Sequence, residues 1–131
     1  SMTTPLWCLL ISSFIPFVLA GIGGYLRVQQ LGELDANHPR VQAHELRDVA
    51  ARAYAAQQNA WEALGLFTAA VVTAHLAGAD AGSSATAASV FIVARVLHAG
   101  TYIANLAPVR SGVFIVGLGS CIYLFYLAAS A

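Results

Sequence analysis

Charged residues are scarce in this chain. Only 9% of its 131 residues are charged, whereas a typical soluble domain carries about 25%. Lysine is absent, so six Arg balance six acidic residues and the formal net charge is zero. A surface that binds nucleic acid needs an excess of cations to neutralise the phosphates. We therefore expect no nucleic-acid partner, and we do not expect water to be the only solvent of the folded chain.

Cysteine is also rare, and its two copies, Cys8 and Cys121, each lie inside an apolar run. Neither has the spacing of a disulfide framework or a metal site, and an isolated thiol usually packs like a small apolar side chain. His38 and His44, in a polar stretch, also lack the ligand spacing of a metal site. We predict two buried, unpaired cysteines and no metal centre.

Long apolar runs make up most of the sequence, and 59% of the residues are hydrophobic. A helix that crosses a bilayer needs about 20 mostly apolar residues. Four segments meet this requirement, at roughly 5–27, 47–77, 84–107 and 109–130. Because the links between the later segments are short, neighbouring helices should run antiparallel. We predict an all-α integral membrane protein, an up-down four-helix bundle formed by a single domain over residues 1–131.

The distribution of Arg predicts how this bundle is oriented. Five of the six Arg lie in the predicted loop 28–46, beside it, or at the turn between the last two spans, namely Arg27, Arg40, Arg47, Arg52 and Arg110. Cytoplasmic loops of membrane proteins carry the excess of Arg and Lys. We therefore expect the loop and the start of the fourth span to face the cytoplasm, with both chain termini outside.

Polar side chains recur at helical spacing inside two of the apolar spans. Residues three or four apart share a side of a helix. On this basis the third span carries one polar stripe, Arg95, His98, Tyr102 and Asn105, and the second span carries another, Glu45, Asp48, Arg52, Asn59 and Glu62. Ionisable groups within a membrane protein normally face the bundle interior or a wet cavity. The two stripes predict a hydrated cavity suited to a small zwitterionic peptide.

A simpler structural interpretation of these charges stays open. Glu62 and Arg95 could pair with each other across the interface between two helices. Arg52 could likewise pair with Asp48, one turn earlier on the same helix. Such pairs would satisfy the charges without any ligand.

The pair Arg110-Ser111 opens the fourth span. A helix start offers free backbone N–H groups and positive potential, which favour an anion, and a guanidinium adds a charge that persists near neutral pH. Lowering the pKa of a thiol by two units requires about 2.7 kcal/mol of preference for the thiolate. Since neither cysteine lies at this end, the pair predicts catalytic action on the thiol of a bound cosubstrate. The alternative is an Arg110 that only anchors the helix at the lipid head groups.

Three stretches together resemble a known family. They are Arg95-Val96-Leu97-His98 followed by Tyr102 and Pro108-Val109-Arg110-Ser111, then Arg52-Ala53 followed by Asn59 and Glu62, and finally Asn37-His38-Pro39-Arg40. From about Arg27 to its end, the chain resembles the membrane-associated proteins in eicosanoid and glutathione metabolism, and among these a bacterial-type member.

The resemblance implies a homotrimer in a bacterial inner membrane, with glutathione as cosubstrate between subunits and a lipophilic small molecule as the second substrate. Carried over residue by residue, it implies that glutathione is bound by Arg27, Asn59, Glu62, Arg95, His98 and Tyr102. Arg110 and Ser111 would lie at the thiol, and Arg27 would reach the site from a neighbouring subunit.

Two classes of function follow from these patterns. The first is a glutathione-dependent membrane enzyme of the transferase or peroxidase type, which activates the thiolate against lipophilic electrophiles. The second is a non-catalytic membrane scaffold that binds a lipid or another thiol ligand. Ala55 and Gln58 favour the second class, because family members often carry Arg at these two positions. A channel or transporter would be indicated by broken helices or inverted repeats, and the sequence shows neither.

Overall fold

Four long helices and one short helix build the molecule. The computed structural model describes residues 1–131. Its elements, in chain order, are α1 (Thr4–Leu31), α2 (Pro39–Gln42), a 3₁₀ turn (Ala43–Glu45), α3 (Asp48–Ala77), α4 (Ala81–Ile103) and α5 (Ala107–Ala129). The helices α1, α3, α4 and α5 are each long and apolar enough to cross a membrane. The predicted all-helical fold with four spans is confirmed, and the chain is an integral membrane protein.

The link between α3 and α4 shows why adjacent spans run antiparallel. Gly78 ends α3 in the left-handed region, with φ of 72°, a conformation that glycine adopts without a steric penalty. Two residues later, the side chain of Asp80 accepts a hydrogen bond of 2.9 Å from the backbone N–H of Ser83. An Asp at this position satisfies one of the free donors of the new helix. The chain therefore reverses direction within three residues.

The link between α4 and α5 is equally short. Asn105, predicted on the polar stripe of the third span, lies instead beyond the end of α4. Its φ is 61°, in the left-handed region that Asn tolerates better than most residues. The backbone N–H of Leu106 donates to the carbonyl of Thr101 at 2.9 Å, which closes the end of α4. Pro108 then lies in the first turn of α5, where its missing N–H has no cost. This turn brings the end of α4 next to the start of α5.

Within the bundle, α3 and α4 pack against each other, and each also packs against both α1 and α5. Many of the side chains at these contacts are alanines, including Ala53, Ala56, Ala60, Ala88 and Ala94, all fully or almost fully buried. Small residues let helix backbones approach closely in a membrane, where helix association depends on packing rather than on expulsion of water. Small side chains therefore fill much of the contact that α3 and α4 make with their neighbours.

The main apolar core centres on two stacked rings, Phe67 of α3 and Phe91 of α4, with centroids 3.8 Å apart and planes inclined by 9°. Cys8 and Cys121 belong to the same cluster, and both are buried and unpaired. The prediction that the two thiols pack as apolar side chains is thus confirmed. This core fills the part of the bundle nearer the chain termini and leaves the polar stripes at the other end.

The connection between α1 and α3 is more ordered than a plain polar loop. The buried side chain of Gln42 accepts from the backbone N–H of Asp35 at 3.0 Å and donates to the carbonyl of Glu33 at 2.9 Å. Arg27, in the last part of α1, donates to the carbonyl of Pro39 at 2.8 Å and to the Gln42 side chain at 3.3 Å. These bonds fold the connection back onto the end of α1.

Candidate functional site

Arg110 and Tyr102 meet at the turn between α4 and α5. Tyr102 lies in the last turn of α4 and Arg110 lies in the first turns of α5. The guanidinium carbon of Arg110 lies 4.3 Å from the centroid of the Tyr102 ring, within the range of an attractive cation–π contact. Arg110 is half-buried, so its guanidinium packs on the protein.

His98 lies one turn before Tyr102 and is only 3% exposed. Its ring meets the Tyr102 ring edge-on, with centroids 5.6 Å apart, and lies 5.9 Å from the ring of Phe114 on α5. The Nδ1 atom of His98 is buried and has no hydrogen-bond partner in the chain. A buried polar atom without a partner costs about 1–3 kcal/mol, so the chain leaves a hydrogen-bonding group of His98 unused beside the Tyr102 ring.

These side chains surround a cleft of about 310 Å³. The cleft brings together five of the predicted site residues from three helices, and its lining consists of Asn59, His98, Tyr102, Arg110, Ser111, Phe114 and Ile115. Ser111 is exposed, at the edge of the cleft. A cleft of this size is at the lower end of the range of roughly 300–1,000 Å³ that is usual for sites of small molecules.

Arg95 lies deeper, with 5% of its surface exposed. Its Nη2 atom donates a 2.8 Å hydrogen bond to Oδ1 of Asn59. The suggested ion pair between Arg95 and Glu62 does not form, since the only ion pair in the chain joins His38 to Asp35 at 3.9 Å. The neutral side chain of Asn59, and not the carboxylate of Glu62, is the hydrogen-bond acceptor of the Arg95 guanidinium.

The side chain of Glu62 is exposed and makes no hydrogen bond within the chain. With Asn59, Arg95 and Cys121 it lines a smaller pocket of about 140 Å³. Asn59 and Phe114 line both this pocket and the cleft, so the two spaces adjoin. Glu62 and Arg95 thus lie at the edge of the site, one helical turn or less beyond the cleft, and they line the same pocket without forming an ion pair.

Arg27 lies elsewhere in the same protomer. It is 8% exposed, bonded to the α1–α3 connection, and its guanidinium carbon lies 5.8 Å from the ring centroid of Tyr54. It lines a groove of about 600 Å³ whose lining shares no residue with the cleft. Gln58 lines this groove too. A role for Arg27 at the site of a neighbouring subunit stays a prediction.

Sequence reasoning missed two features around the site. Phe114 and Ile115 line the cleft, although an apolar residue in an apolar span carries no signal of its own. Arg52 does not pair with Asp48; its Nε atom donates instead to the backbone carbonyl of Ile103 at 3.1 Å. That interpretation was wrong because the last carbonyls of a helix lack intrahelical donors, and the end of α4 offers one beside Arg52.

One of three comparisons with known proteins gave a match. The model of the MAPEG family matches residues 4–130 of the chain. No curated protein and no solved structure gives a significant match. The family match covers all four spans and the whole of the cleft that they form. By this match over nearly its entire length, the chain belongs to the MAPEG family.

Proposed function

We propose that this protein is a glutathione-dependent membrane enzyme of the transferase or peroxidase type. The MAPEG family includes glutathione transferases and related membrane proteins. The observation that carries the proposal is the placement of the Arg110 guanidinium over the Tyr102 ring, in a cleft that Ser111 also lines. Arg27, Arg52 and Arg95 donate hydrogen bonds to acceptors of the same chain. The side chain of Arg110 makes no such bond, so its guanidinium N–H groups are free to bind a ligand.

In the proposed mechanism, the sulfur of glutathione binds as the thiolate beside Arg110 and Ser111. The guanidinium charge, the Ser111 hydroxyl and the positive potential at the start of α5 all favour the anion over the thiol. The thiolate then attacks an electrophilic carbon of a lipophilic substrate, and a new S–C bond forms while the displaced electron pair leaves with its group or takes a proton. With a hydroperoxide, two glutathione molecules would instead yield an alcohol, water and glutathione disulfide.

The remaining polar groups suit the peptide part of glutathione. Arg95, which no carboxylate neutralises, would hold a carboxylate of the ligand, and the exposed Glu62 would accept its ammonium group. Asn59 keeps its amide N–H donors, and the unpartnered Nδ1 of His98 would bond to a peptide group. These assignments follow from the donor and acceptor chemistry of each side chain.

We also propose that the active form is a homotrimer. Arg27 is separated from the cleft within one protomer, so it can contribute to glutathione binding only from a neighbouring copy. In this arrangement the Arg-rich end of each protomer, with its cleft, faces the cytoplasm of a bacterial cell, and the lipophilic substrate enters from the bilayer. Chemical crosslinking in native membranes checks the assembly, and a ladder that stops at the dimer would contradict it.

The first experiment measures the thermal stability of the purified protein in detergent with increasing glutathione. Any ligand specific to the folded state raises the apparent midpoint, so we expect a rise at millimolar glutathione. Ophthalmate, which has the same peptide backbone and charges but no thiol, serves as the control for thiolate binding. No rise with glutathione, together with a rise for a lipid or another thiol compound, would favour the non-catalytic scaffold.

The second experiment compares Arg110→Ala with Arg47→Ala. Arg47 is an exposed Arg that lines neither the cleft nor the groove of Arg27, so it controls for the loss of one cation. We expect Arg110→Ala to lower the conjugation rate at least tenfold while the yield of folded protein is kept, and Arg47→Ala to leave the rate unchanged. Equal rates in the two variants would remove Arg110 from the mechanism.

A further inference from the structure

A second polar cavity lies at the opposite end of the bundle from the cleft. We call it the terminal cavity; it measures about 240 Å³ and lies where the start of α1, the end of α3 and the start of α4 meet. Its polar lining consists of Thr3, Thr4, His75 and Ser84. It shares no residue with the cleft or with its adjoining pocket. The proposed function makes no use of it.

The strongest feature of the terminal cavity is the hydroxyl of Ser84. Ser84 is 6% exposed, and its Oγ atom is buried without a hydrogen-bond partner. Other serines within the spans, such as Ser89 and Ser120, donate to a carbonyl one turn earlier on their own helix. A buried hydroxyl that forgoes even this local bond costs about 1–3 kcal/mol. The wall of the cavity therefore includes a serine whose buried hydroxyl has no hydrogen-bond partner within the chain.

The charges around the terminal cavity restrict what it can hold. No Arg, Asp or Glu lines it. Asp80 lies just before the start of α4, with its carboxylate bonded to the N–H of Ser83, so the positive potential of this helix start already has an anion. A cationic ligand would find no carboxylate and an anionic ligand no guanidinium, whereas hydroxyl and imidazole groups can donate to and accept from neutral polar groups.

The shape of the terminal cavity also matters. Its inner wall includes Val71 and Ala74, which are buried, while Thr4 and His75 are exposed at its rim. The rim lies at the ends of membrane-spanning helices, where a bilayer places its interface. At about 240 Å³ the cavity is smaller than the roughly 300 Å³ needed to enclose a drug-sized molecule. It suits a head group whose apolar tail stays in the bilayer.

We infer that the terminal cavity binds the neutral, hydroxyl-bearing head group of a lipid of the acylglycerol class, with the Ser84 hydroxyl as its buried hydrogen-bond partner. The hydroxyls of the head group bond to Ser84, Thr3 and Thr4, and the acyl chain lies along the outside of the bundle. This site is independent of glutathione, so it stands or falls separately from the proposed enzymatic function.

The test uses the full chain in phosphatidylcholine nanodiscs, with 1-monooleoylglycerol as the probe. Methyl oleate keeps the chain and the ester but has no hydroxyl, and oleate replaces the neutral head with a charge. We expect monooleoylglycerol to raise the thermal midpoint and the other two probes to leave it unchanged. No rise with monooleoylglycerol would mean that the cavity holds water only, and an equal rise with methyl oleate would exclude hydroxyl recognition; either result overturns the inference.

Two serine variants test the role of the buried hydroxyl. Ser120→Ala is the matched control, because Ser120 is equally buried but bonded to the carbonyl of Val116 at 2.9 Å and lies outside the terminal cavity. Without monooleoylglycerol, Ser84→Ala should be at least as stable as the parent protein, since it removes an unpartnered group. Ser84→Ala should bind monooleoylglycerol about fivefold more weakly than the parent protein, and Ser120→Ala should bind it with the affinity of the parent. Unchanged binding in Ser84→Ala overturns the inference.

A third variant blocks the rim. Ala81, exposed at the start of α4, lines the terminal cavity, and Ala81→Phe should fill its entrance and abolish the rise with monooleoylglycerol. Glutathione binding at the far end should be unaffected. A full rise in this variant would place the lipid elsewhere and overturn the inference.

Discussion

The guanidinium carbon of Arg110 lies 4.3 Å from the centroid of the Tyr102 ring, so a cation of α5 is held on an aromatic face of α4. Such contacts contribute about 0.5–2 kcal/mol, depending on how far they are removed from water. The short turn between the two helices makes the contact local, and it holds the only Arg of the cleft against the ring of Tyr102, which lines the same cleft. Tyr102 thus acts in the proposed reaction by positioning Arg110.

This role predicts different results for two substitutions of Tyr102. Tyr102→Phe keeps the ring face and should retain most of the glutathione-dependent rate. Tyr102→Leu removes the cation–π contact and should lower the rate by about 2- to 30-fold, the equivalent of the energy of that contact. Conjugation of a model electrophile at saturating glutathione measures both. If Tyr102→Phe lost as much activity as Tyr102→Leu, the phenol hydroxyl and not the ring would be the important group.

Asn59 should matter for stability as well as for binding. Its Oδ1 atom accepts the hydrogen bond from the buried Arg95 guanidinium, and Asn59→Ala would leave that donor without its partner. We expect the free energy of unfolding to fall by about 1–3 kcal/mol, while Asn59→Asp, which keeps an acceptor, should lose less. Gln58→Ala is the control, because Gln58 is exposed and makes no side-chain hydrogen bond. Unfolding titrations in detergent measure the difference, and equal stability of Asn59→Ala and Gln58→Ala would contradict this prediction.

Gln42 should control the order of the α1–α3 connection. Its side chain bonds to the backbone of Asp35 and Glu33 and receives a hydrogen bond from Arg27, so Gln42→Ala removes three contacts at once. Hydrogen exchange over residues 33–42 should then become faster, with little change in α3 and α4. Gln57→Ala, on α3, is the matched control. Unchanged exchange in Gln42→Ala would show that these bonds do not order the connection.

The cap of α4 predicts a dependence of stability on pH. The N–H of Ser83 donates to the Asp80 carboxylate and holds its pKa below the ordinary value of 3.8. Because the pKa is lower in the folded chain than in the unfolded one, the contribution of Asp80 is complete above 3.8 and is lost as the pH falls through the lowered pKa.

Asp80→Asn provides the comparison, since Asn also caps a helix but does not titrate in this range. Thermal midpoints of both proteins, measured from about pH 5 down to about pH 3, should converge as the parent loses its charged cap. All other acidic groups are common to the two proteins. A constant difference over this range would mean that the Asp80 carboxylate does not contribute through its charge.

Much of the fold follows from the order of residues alone. The four spans and the positions of the polar stripe on α4 are local properties, because hydrophobicity over about 20 residues and a period of 3.6 residues can be read from one segment at a time. The same holds for the helix start at Pro108 and for the turn at Gly78, where one residue type suits one backbone conformation. For this reason Arg95, His98 and Tyr102 could be assigned to one face before their surroundings were known.

The sequence by itself determined that polar residues such as Arg95, His98 and Glu62 occur within apolar spans. The tertiary structure alone decided which of them are buried, as Arg95 and His98 are and Glu62 is not, and which partners they have. Arg95 bonds to Asn59, 36 residues away, and not to Glu62; Arg52 bonds to a carbonyl 51 residues away, at Ile103. Such choices depend on how each helix is rotated and on its height relative to its neighbours. These quantities come from the sum of many small packing contacts between segments that are distant in the chain. The same packing contacts bury the Ser84 hydroxyl without a hydrogen-bond partner, and no pattern in the sequence indicates this.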